Sequence, residues 1–285
     1  MSEFIIYTDS SCDLAPEDMD KMNVYFSSLT YNFGVANEQP SANLPLAEFY
    51  ARLRQGSVAK TSAVNSQEFF NRFEEIIKSG LDILYLGASS ELSTTYNSAC
   101  VAAKALKEKY PKRKIVTIDT LSISAGLGLI VDYIYRKKLD GATIEEAEQY
   151  AKEIQGRICH IFTVDDLNYL KRGGRISSAT AAVGSMLGIK PILHVTEQGR
   201  LTSIGKVRGR RSAILALSKK YEINCTNKSE KIFIAHADCR KDADELYRIL
   251  KEQNPQGDIV IKNIGPVIGA HAGPGALALF FVGNR

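Results

Sequence analysis

The sequence predicts an α/β protein of two domains: an N-terminal, mostly parallel sheet with helices on both faces, then a C-terminal domain with a mixed sheet. Three observations carry this. Up to residue 156, short apolar runs such as Ile83-Leu84-Tyr85-Leu86 and Ile115-Val116-Thr117-Ile118 alternate with longer stretches of helical period. That order builds a parallel sheet covered on both sides. After Gly156, two apolar runs are separated only by Glu197-Gln198-Gly199-Arg200. So short a link excludes a parallel crossover and requires an antiparallel pair. Finally, 285 residues, 45% hydrophobic and 24% charged, are enough for two domains or one large one. The boundary is expected near 156, giving domains over 1–156 and 157–285.

Residues 4–8 read as the first strand, followed by the polar turn Asp9-Ser10-Ser11-Cys12-Asp13. A helix is expected over 15–21, with Pro16 near its start, where a missing N–H costs nothing. Residues 24–31 alternate loosely and read as a second strand. Residues 34–45, rich in Asn, Pro and Ser, read as a surface loop, and 46–54 as a helix ended by Gly56. Thr61 and Ser62 then stand just ahead of an amphipathic helix whose Phe69, Phe70, Phe73, Ile76 and Ile77 share a face. Asn65 or Ser66 is its cap, with Glu68 at or near the capping-box position. The strand at 83–86 runs into a loop with six hydroxyl residues: Ser89, Ser90, Ser93, Thr94, Thr95 and Ser98. Ala99, Val101, Ala102, Ala103 and Leu106 continue it as a helix.

Residues 114–119 are the next strand and 122–137 a long apolar helix. Thr143-Ile144-Glu145-Glu146 is a capping box opening another helix. Residues 158–164 are a strand. A short helix over 165–172 is stopped by Gly173-Gly174, a left-handed terminator. The small-residue stretch 177–187 suits a closely packed helix. Strands at 190–195 and 201–207 precede a helix over 208–221. Strand, helix and strand follow over 231–237, 242–252 and 258–264. The glycine-rich 265–275 shows neither period, and 276–282 is the last strand.

Composition excludes several functions. A net charge of +4, from 36 basic and 32 acidic residues, is too small to argue for nucleic acid. No run approaches the roughly 18 apolar residues of a membrane span. The N-terminus lacks a basic segment followed by a long apolar one, so no secretory signal is read there. Five scattered cysteines without a C-x-x-C suit free thiols in a reducing cytoplasm. The sequence has no G-x-x-x-x-G-K-[ST], no G-x-G-x-x-G and no G-x-S-x-G. Its four histidines form no H-x-x-x-H or H-E-x-x-H pair, so no zinc site is expected.

What remains is a set of polar positions. The Ser89–Ser98 hydroxyls sit where a strand becomes a helix, the rim at which open α/β sheets bind ligands. Helix N–H groups there favour an anion, and the absence of Lys or Arg in the loop suits a carboxylate rather than a polyphosphate. Helix capping by itself explains half of these hydroxyls. His160, His194 and His236 lie in apolar strands and read as structural. His271 lies among glycines that let backbone approach a ligand; its alternative is a surface loop histidine. Lys171-Arg172-Gly173-Gly174-Arg175 and Arg208-Gly209-Arg210-Arg211 are compact basic groups. Each reads either as helix-end charge or as a docking patch for an acidic partner or phosphate.

Taken in order, these segments resemble the DegV family of bacterial fatty-acid-binding proteins, the acyl-carrying subunits of fatty acid kinase. The likeness covers essentially the whole chain. It rests on Thr8-Asp9-Ser10, Thr61-Ser62, the Ser89-Ser90-x-Leu92-Ser93-x-Thr95-Tyr96 run and Leu170-Lys171-Arg172-Gly173-Gly174-Arg175. Ile189-Lys190-Pro191-Ile192-Leu193 and Ala270-His271-x-Gly273-Pro274-Gly275 complete it. The sequence departs from the family pattern at Ala63-Val64, where Gln-Pro is common, and at Thr94, where glycine is.

The resemblance implies a DegV-like fold of two domains with a long-chain fatty acid between them. It implies a carboxylate held by Thr61, Ser62 and Ser93 with His271 nearby; Thr94 adds a methyl and a hydroxyl beside them. The tail is expected in an apolar tunnel walled in part by 177–187. No catalytic residue, metal or cofactor is expected, because a separate ATP-binding kinase subunit would make the acyl phosphate. Lys171, Arg172 and Arg175 are assigned to partner contact or to steadying phosphate. The setting is cytoplasmic, in supply of phospholipid precursors, with transient membrane contact allowed and no nucleic acid. Two rivals are a stand-alone hydrolase or transferase using Ser93 and His271, and a regulatory sensor for a small acid.

Overall fold

The computed structural model describes residues 3–34, 44–177, 188–254 and 256–285. The first half runs β1 (Phe4–Asp9), a 3-10 turn (Ser10–Cys12), α1 (Pro16–Lys21), β2 (Val24–Ser27), β3 (Thr30–Asn32), α2 (Leu46–Arg54), β4 (Lys60–Ser62), α3 (Ser66–Lys78), β5 (Asp82–Gly87), α4 (Thr95–Lys109), β6 (Ile115–Asp119), α5 (Ala125–Leu139) and α6 (Ile144–Gln155). The second runs β7 (Ile158–Thr163), α7 (Asn168–Arg172), β8 (Ile189–Val195), β9 (Leu201–Arg208), α8 (Arg210–Asn224), β10 (Ile232–His236), α9 (Arg240–Gln253), β11 (Ile259–Asn263), α10 (Pro266–Ala272) and β12 (Leu277–Val282).

Sheet membership follows the hydrophobic pattern. A four-stranded sheet has the order β2-β1-β5-β6, every pair parallel. Its central strands β1 and β5 are buried at every position, as strands covered on both faces are. Ile5, Tyr7, Ile83, Tyr85 and Ile115 point to one side, against Phe69, Phe73, Ala102 and Leu106 of α3 and α4. Phe4, Ile6, Leu84, Leu86 and Ile118 point to the other, against α5 and α6. A separate six-stranded mixed sheet has the order β11-β10-β12-β7-β8-β9. Only β10–β11 is parallel there; β8–β9 is the expected antiparallel hairpin. One face carries Cys159, Ile161, Ile234, Leu279 and Phe281 against α8 and α9. The other carries Ile158, Phe233, Ala278, Phe280 and Val282, in one core with α5.

Helix α5 therefore lies between the two sheets. It touches β1 and β5 of the first and β7, β10 and β12 of the second. Its first seven residues, Ala125 to Val131, are all buried, the mark of a helix covered all round. Two glycines set its spacing. A Cβ on Gly126 would overlap His160 and meet Phe280 at 2.9 Å; one on Gly128 would meet the Cys12 carbonyl at 2.7 Å.

Local chemistry explains most boundaries. Asn65 caps α3 by accepting from the Glu68 N–H at 2.9 Å. Thr143 and Glu146 make the capping box of α6. Two expectations change, and a third falls outside the described residues. Residues 24–31 are not one strand: β2 joins the parallel sheet, while β3 pairs with β4 in a two-stranded ladder. The break falls before Leu29, whose N–H donates to Ser10 Oγ at 2.9 Å and leaves the ladder. The glycine-rich 265–275 contains α10, seven residues opened by Pro266 and closed by Gly273 at φ 75°. So short a helix of Gly, Ala and Val shows no period. The helix expected over 177–187 falls on residues that, apart from Ser177, lie outside the described ones.

One buried acid ties the halves together. Asp13, itself at φ 51°, accepts from Ser124 Oγ at the start of α5 and from the Gly265 N–H at the start of α10, the latter at 2.8 Å. Burial pushes its carboxyl up to about 7. The folded state thus holds this proton more tightly than the unfolded chain does. Stability from this group is complete below the unfolded value near pH 4 and declines as pH rises to about 7. Asp13→Asn keeps the acceptor for Gly265 and removes the charge, its amide N–H donating to Ser124 Oγ in place of the bond that Asp13 accepts. Urea midpoints at pH 5 and pH 8 are expected to differ less in Asp13→Asn than in the parent. In a second test, Gly126→Ala is expected to cost about 1–3 kcal/mol by overpacking. Gly156→Ala, with nothing within 4 Å of the new Cβ, should be neutral in the same urea titration.

Candidate functional site

A cavity of about 450 Å³ opens between the sheets, within the size range of small-molecule sites. Its apolar wall comes from the six-stranded sheet and α10: Phe162, Val195, Leu201, Ala278, Phe280 and Val267. Its polar end collects residues from four segments far apart in sequence.

The first segment is the loop after β5. Buried Ser89 anchors it: Ser89 N–H donates to the Ser122 carbonyl at 2.9 Å, and Ser89 Oγ to the Gly199 carbonyl at 2.9 Å. Leu92 and Ser93 N–H groups donate back to the Ser89 carbonyl. This turn delivers Ser93 and Thr94 to the cavity. Ser93 Oγ donates to Thr95 Oγ1 at 2.9 Å and accepts the Thr95 N–H at 3.3 Å. Thr94 stands at the start of α4 without a side-chain cap bond, exposed at the cavity edge.

The second segment is β4. Successive strand side chains point to opposite faces. Thr61 lines the cavity, while Ser62 is exposed and does not line it. The third is α10, where His271 Nε2 lies 2.8 Å from Thr61 Oγ1. Burial, reinforced by Arg175, holds the His271 pKa down to about 4, so the ring is neutral at pH 7. Its Nδ1 is buried without a partner, against Gly173, where a Cβ would overlap it.

The fourth is the turn after α7. Gly174 at φ 72° reverses the chain and splits the basic group in two. Lys171 and Arg172 are exposed, with Arg172 over the Tyr169 ring at 4.8 Å, and neither lines the cavity. Arg175 turns inward: it lines the cavity and donates to the Leu92 carbonyl at 3.1 Å and to the Gly173 carbonyl. Burial lowers its pKa.

Of the eight residues singled out in the sequence, Thr61, Ser93, Thr94, His271 and Arg175 line one cavity. Sequence reasoning missed Ser11 and Ser124, which also line it, and left His160 as structural although it both is buried and faces the cavity. Nothing in sequence spacing joins residues 11, 124 and 160; only the sandwiching of α5 does. Ser93 and His271 are engaged with Thr95 and Thr61 respectively rather than with each other. Among the described residues no three His, Cys, Asp or Glu side chains gather as a metal-binding group, and no helix is long and apolar enough to cross a membrane.

Comparison with known proteins places this arrangement. The model of a family described as uncharacterised protein, DegV family, matches residues 3–284. The chain belongs to the DegV family. A DegV domain-containing protein of Clostridium perfringens is 42% identical, covering 100% of this chain and 99% of its own. A Thermotoga maritima protein whose crystal structure is described as revealing fatty acid binding function is 29% identical with a TM-score of 0.84, over 99% of this chain and all of that one. A fatty-acid-binding DegV family protein of Streptococcus agalactiae is 26% identical with a TM-score of 0.87, over the full length of both. The DegV fold, a parallel four-stranded sheet beside a mixed six-stranded one, is thus the fold of this chain.

The Gly173–His271 contact yields a test. Gly173→Ala is expected to displace the His271 ring and break its bond to Thr61. NMR of ring-labelled histidine would show it: His271, which titrates at about 4 in the parent, should move toward the ordinary histidine range near 6.5 as the ring gains solvent. An unmoved titration would mean that Gly173 does not hold the ring.

Proposed function

We propose that this protein binds a long-chain fatty acid, with its carboxylate at Thr61, Ser93, Thr94 and His271 and its tail along the apolar wall. The observation that carries the reading is one cavity that is polar at one end and lined elsewhere by Phe162, Val195, Ala278 and Phe280. Relatives of the same fold described as fatty-acid-binding support it. The physics agrees. Burying methylenes gains about 0.8 kcal/mol each, so a C16 tail contributes on the order of 10 kcal/mol. The head group must then meet donors, because an unpaired buried carboxylate is costly.

Those donors can be assigned by chemistry. If His271 Nε2–H donates to Thr61 Oγ1, the Thr61 hydroxyl proton is free for the ligand. Thr94 has no competing cap bond. Arg175 brings a half-buried positive charge to the same rim, so donors need not all be neutral. Ser62, on the other side of β4, falls outside this set.

We further propose that the bound carboxylate is presented to a separate ATP-dependent kinase subunit and becomes an acyl phosphate. Exposed Lys171 and Arg172 meet that partner, and Arg175 steadies the charged head group. Residues 1–156 and 157–285 form the two domains that enclose the ligand. The setting is cytoplasmic, with transient membrane contact as lipid is exchanged and phospholipid precursors supplied.

Denaturing extraction of the purified protein followed by mass spectrometry tests the ligand class; a stoichiometric long-chain fatty acid is expected. A short hydrophilic acid would favour the sensor, and ester turnover without ATP or partner the hydrolase. Thr61→Val should weaken fatty-acid retention about tenfold or more, the loss of a hydrogen bond to a charged group. Arg172→Ala should cut turnover with the kinase partner and leave lipid content unchanged; equal loss of both would contradict the division of roles.

A further inference from the structure

The cavity carries a second set of polar side chains besides the Thr61–His271 pair. Ser11, Ser124 and His160 line it while being 1%, 4% and 1% exposed. In each, the hydrogen is spent once Asp9 and Asp13, both raised by burial, are ionised. Ser11 Oγ donates to Asp9 Oδ1; Asp9 also receives the Tyr85 hydroxyl at 3.0 Å and the Ser11 and Ala88 N–H groups at 3.1 and 3.3 Å, so it acts as an acceptor. Ser124 Oγ donates to Asp13 Oδ2. His160 Nδ1 lies 3.0 Å from the Ile158 carbonyl. A carbonyl only accepts, so Nδ1 carries the hydrogen. Burial keeps the ring neutral, which leaves Nε2 a bare lone pair, and that atom has no partner. What Ser11 and Ser124 offer the cavity is acceptors alone, set among Ile123, Phe162 and Phe280, and His160 Nε2, packed against Gly126 of α5, is a third bare acceptor at the same wall.

Ser124 adds an independent sign. Its backbone sits at φ 58°, ψ −149°, a region that is essentially glycine's and costs on the order of 1–3 kcal/mol for other residues. Its side chain does not cap α5. It is held instead on Asp13, which leaves its lone pairs at the cavity wall. Buried acceptors in an apolar wall are unfavourable unless something donates to them.

We infer that this wall recognises a hydroxyl group carried on the acyl chain, bonded by Ser11, Ser124 or His160; the inference rests on the fatty-acid reading and narrows it to hydroxylated acids. A ketone, ester or second carboxylate only accepts and finds no partner there. A hydroxyl donates, and it reads the lone pairs that a plain alkyl tail leaves unsatisfied.

The test uses the full chain, stripped of lipid, at pH 8, above the Asp13 value of about 7, so that Asp13 accepts from Ser124. Stearate and its 3-, 10- and 12-hydroxy derivatives compete for the site. At least one hydroxystearate should bind within about threefold of stearate, and at least one of Ser11→Ala, Ser124→Gly and His160→Leu should weaken that acid relative to stearate by about tenfold. Glycine adopts the Ser124 backbone without strain, so Ser124→Gly keeps the test alive if His160→Leu fails to fold. Rejection of every hydroxystearate by about a hundredfold, or ratios unchanged in the variants, would overturn the inference while leaving plain fatty-acid binding intact. Absence of stearate binding would overturn the fatty-acid reading itself.

Discussion

Everything in this fold depends on the burial of α5 between two sheets. A helix that is apolar all round over its first seven residues must be covered all round there. The four-stranded sheet supplies one cover, through β1 and β5, and the six-stranded sheet the other, through β7, β10 and β12. Gly126 and Gly128 let both covers come close. The result is one core shared by both halves of the chain. The cavity forms where that core gives out: Ile123 and Ser124, just ahead of α5, are part of its lining. Asp13 holds this junction by bonding the starts of both α5 and α10.

The electrostatics of the cavity follow from its position. Burial keeps His271 neutral and holds Asp13 up near 7. A neutral imidazole is a directional hydrogen-bond partner rather than a charge, so it can orient the Thr61 hydroxyl. The positive charge comes from Arg175, tied to the Leu92 and Gly173 carbonyls. Those bonds also link the turn after α7 to the loop after β5. Two further ties, Ser89 to Gly199 and Arg200 to Glu91 at 2.7 Å, join that loop to the β8–β9 hairpin. The polar end is thus built from segments that brace one another across the two sheets.

Much of this was legible in the sequence, and particular residues show why. Thr143 and Glu146 announce their capping box, and Asn65 its cap, because the signal and the structure lie within one turn. The run at 83–86 is a strand buried on both faces, so its pattern is unambiguous. Where local signals are weak, distant contacts decide the structure. The seven residues of α10 show no period because Gly and Ala carry no periodic contrast. The strand over 24–31 was read as continuous because the pull of Ser10 on Leu29 is a contact across 19 residues. Arg175 was grouped with Lys171 and Arg172, and only the left-handed Gly174 separates them.

The chain's own order of residues determined the element types, the parallel-then-mixed sheets and the hydroxyl loop after β5, since these follow from periodicity, capping and turn chemistry acting over a few residues. Only the tertiary structure decided which polar groups share a cavity. Thr61 meets His271 across 210 positions, Ser62 is turned away by strand alternation, and Ser11, Ser124 and His160 converge because α5 is held between two sheets. Such convergence depends on which covers a buried helix recruits, and no local pattern encodes that.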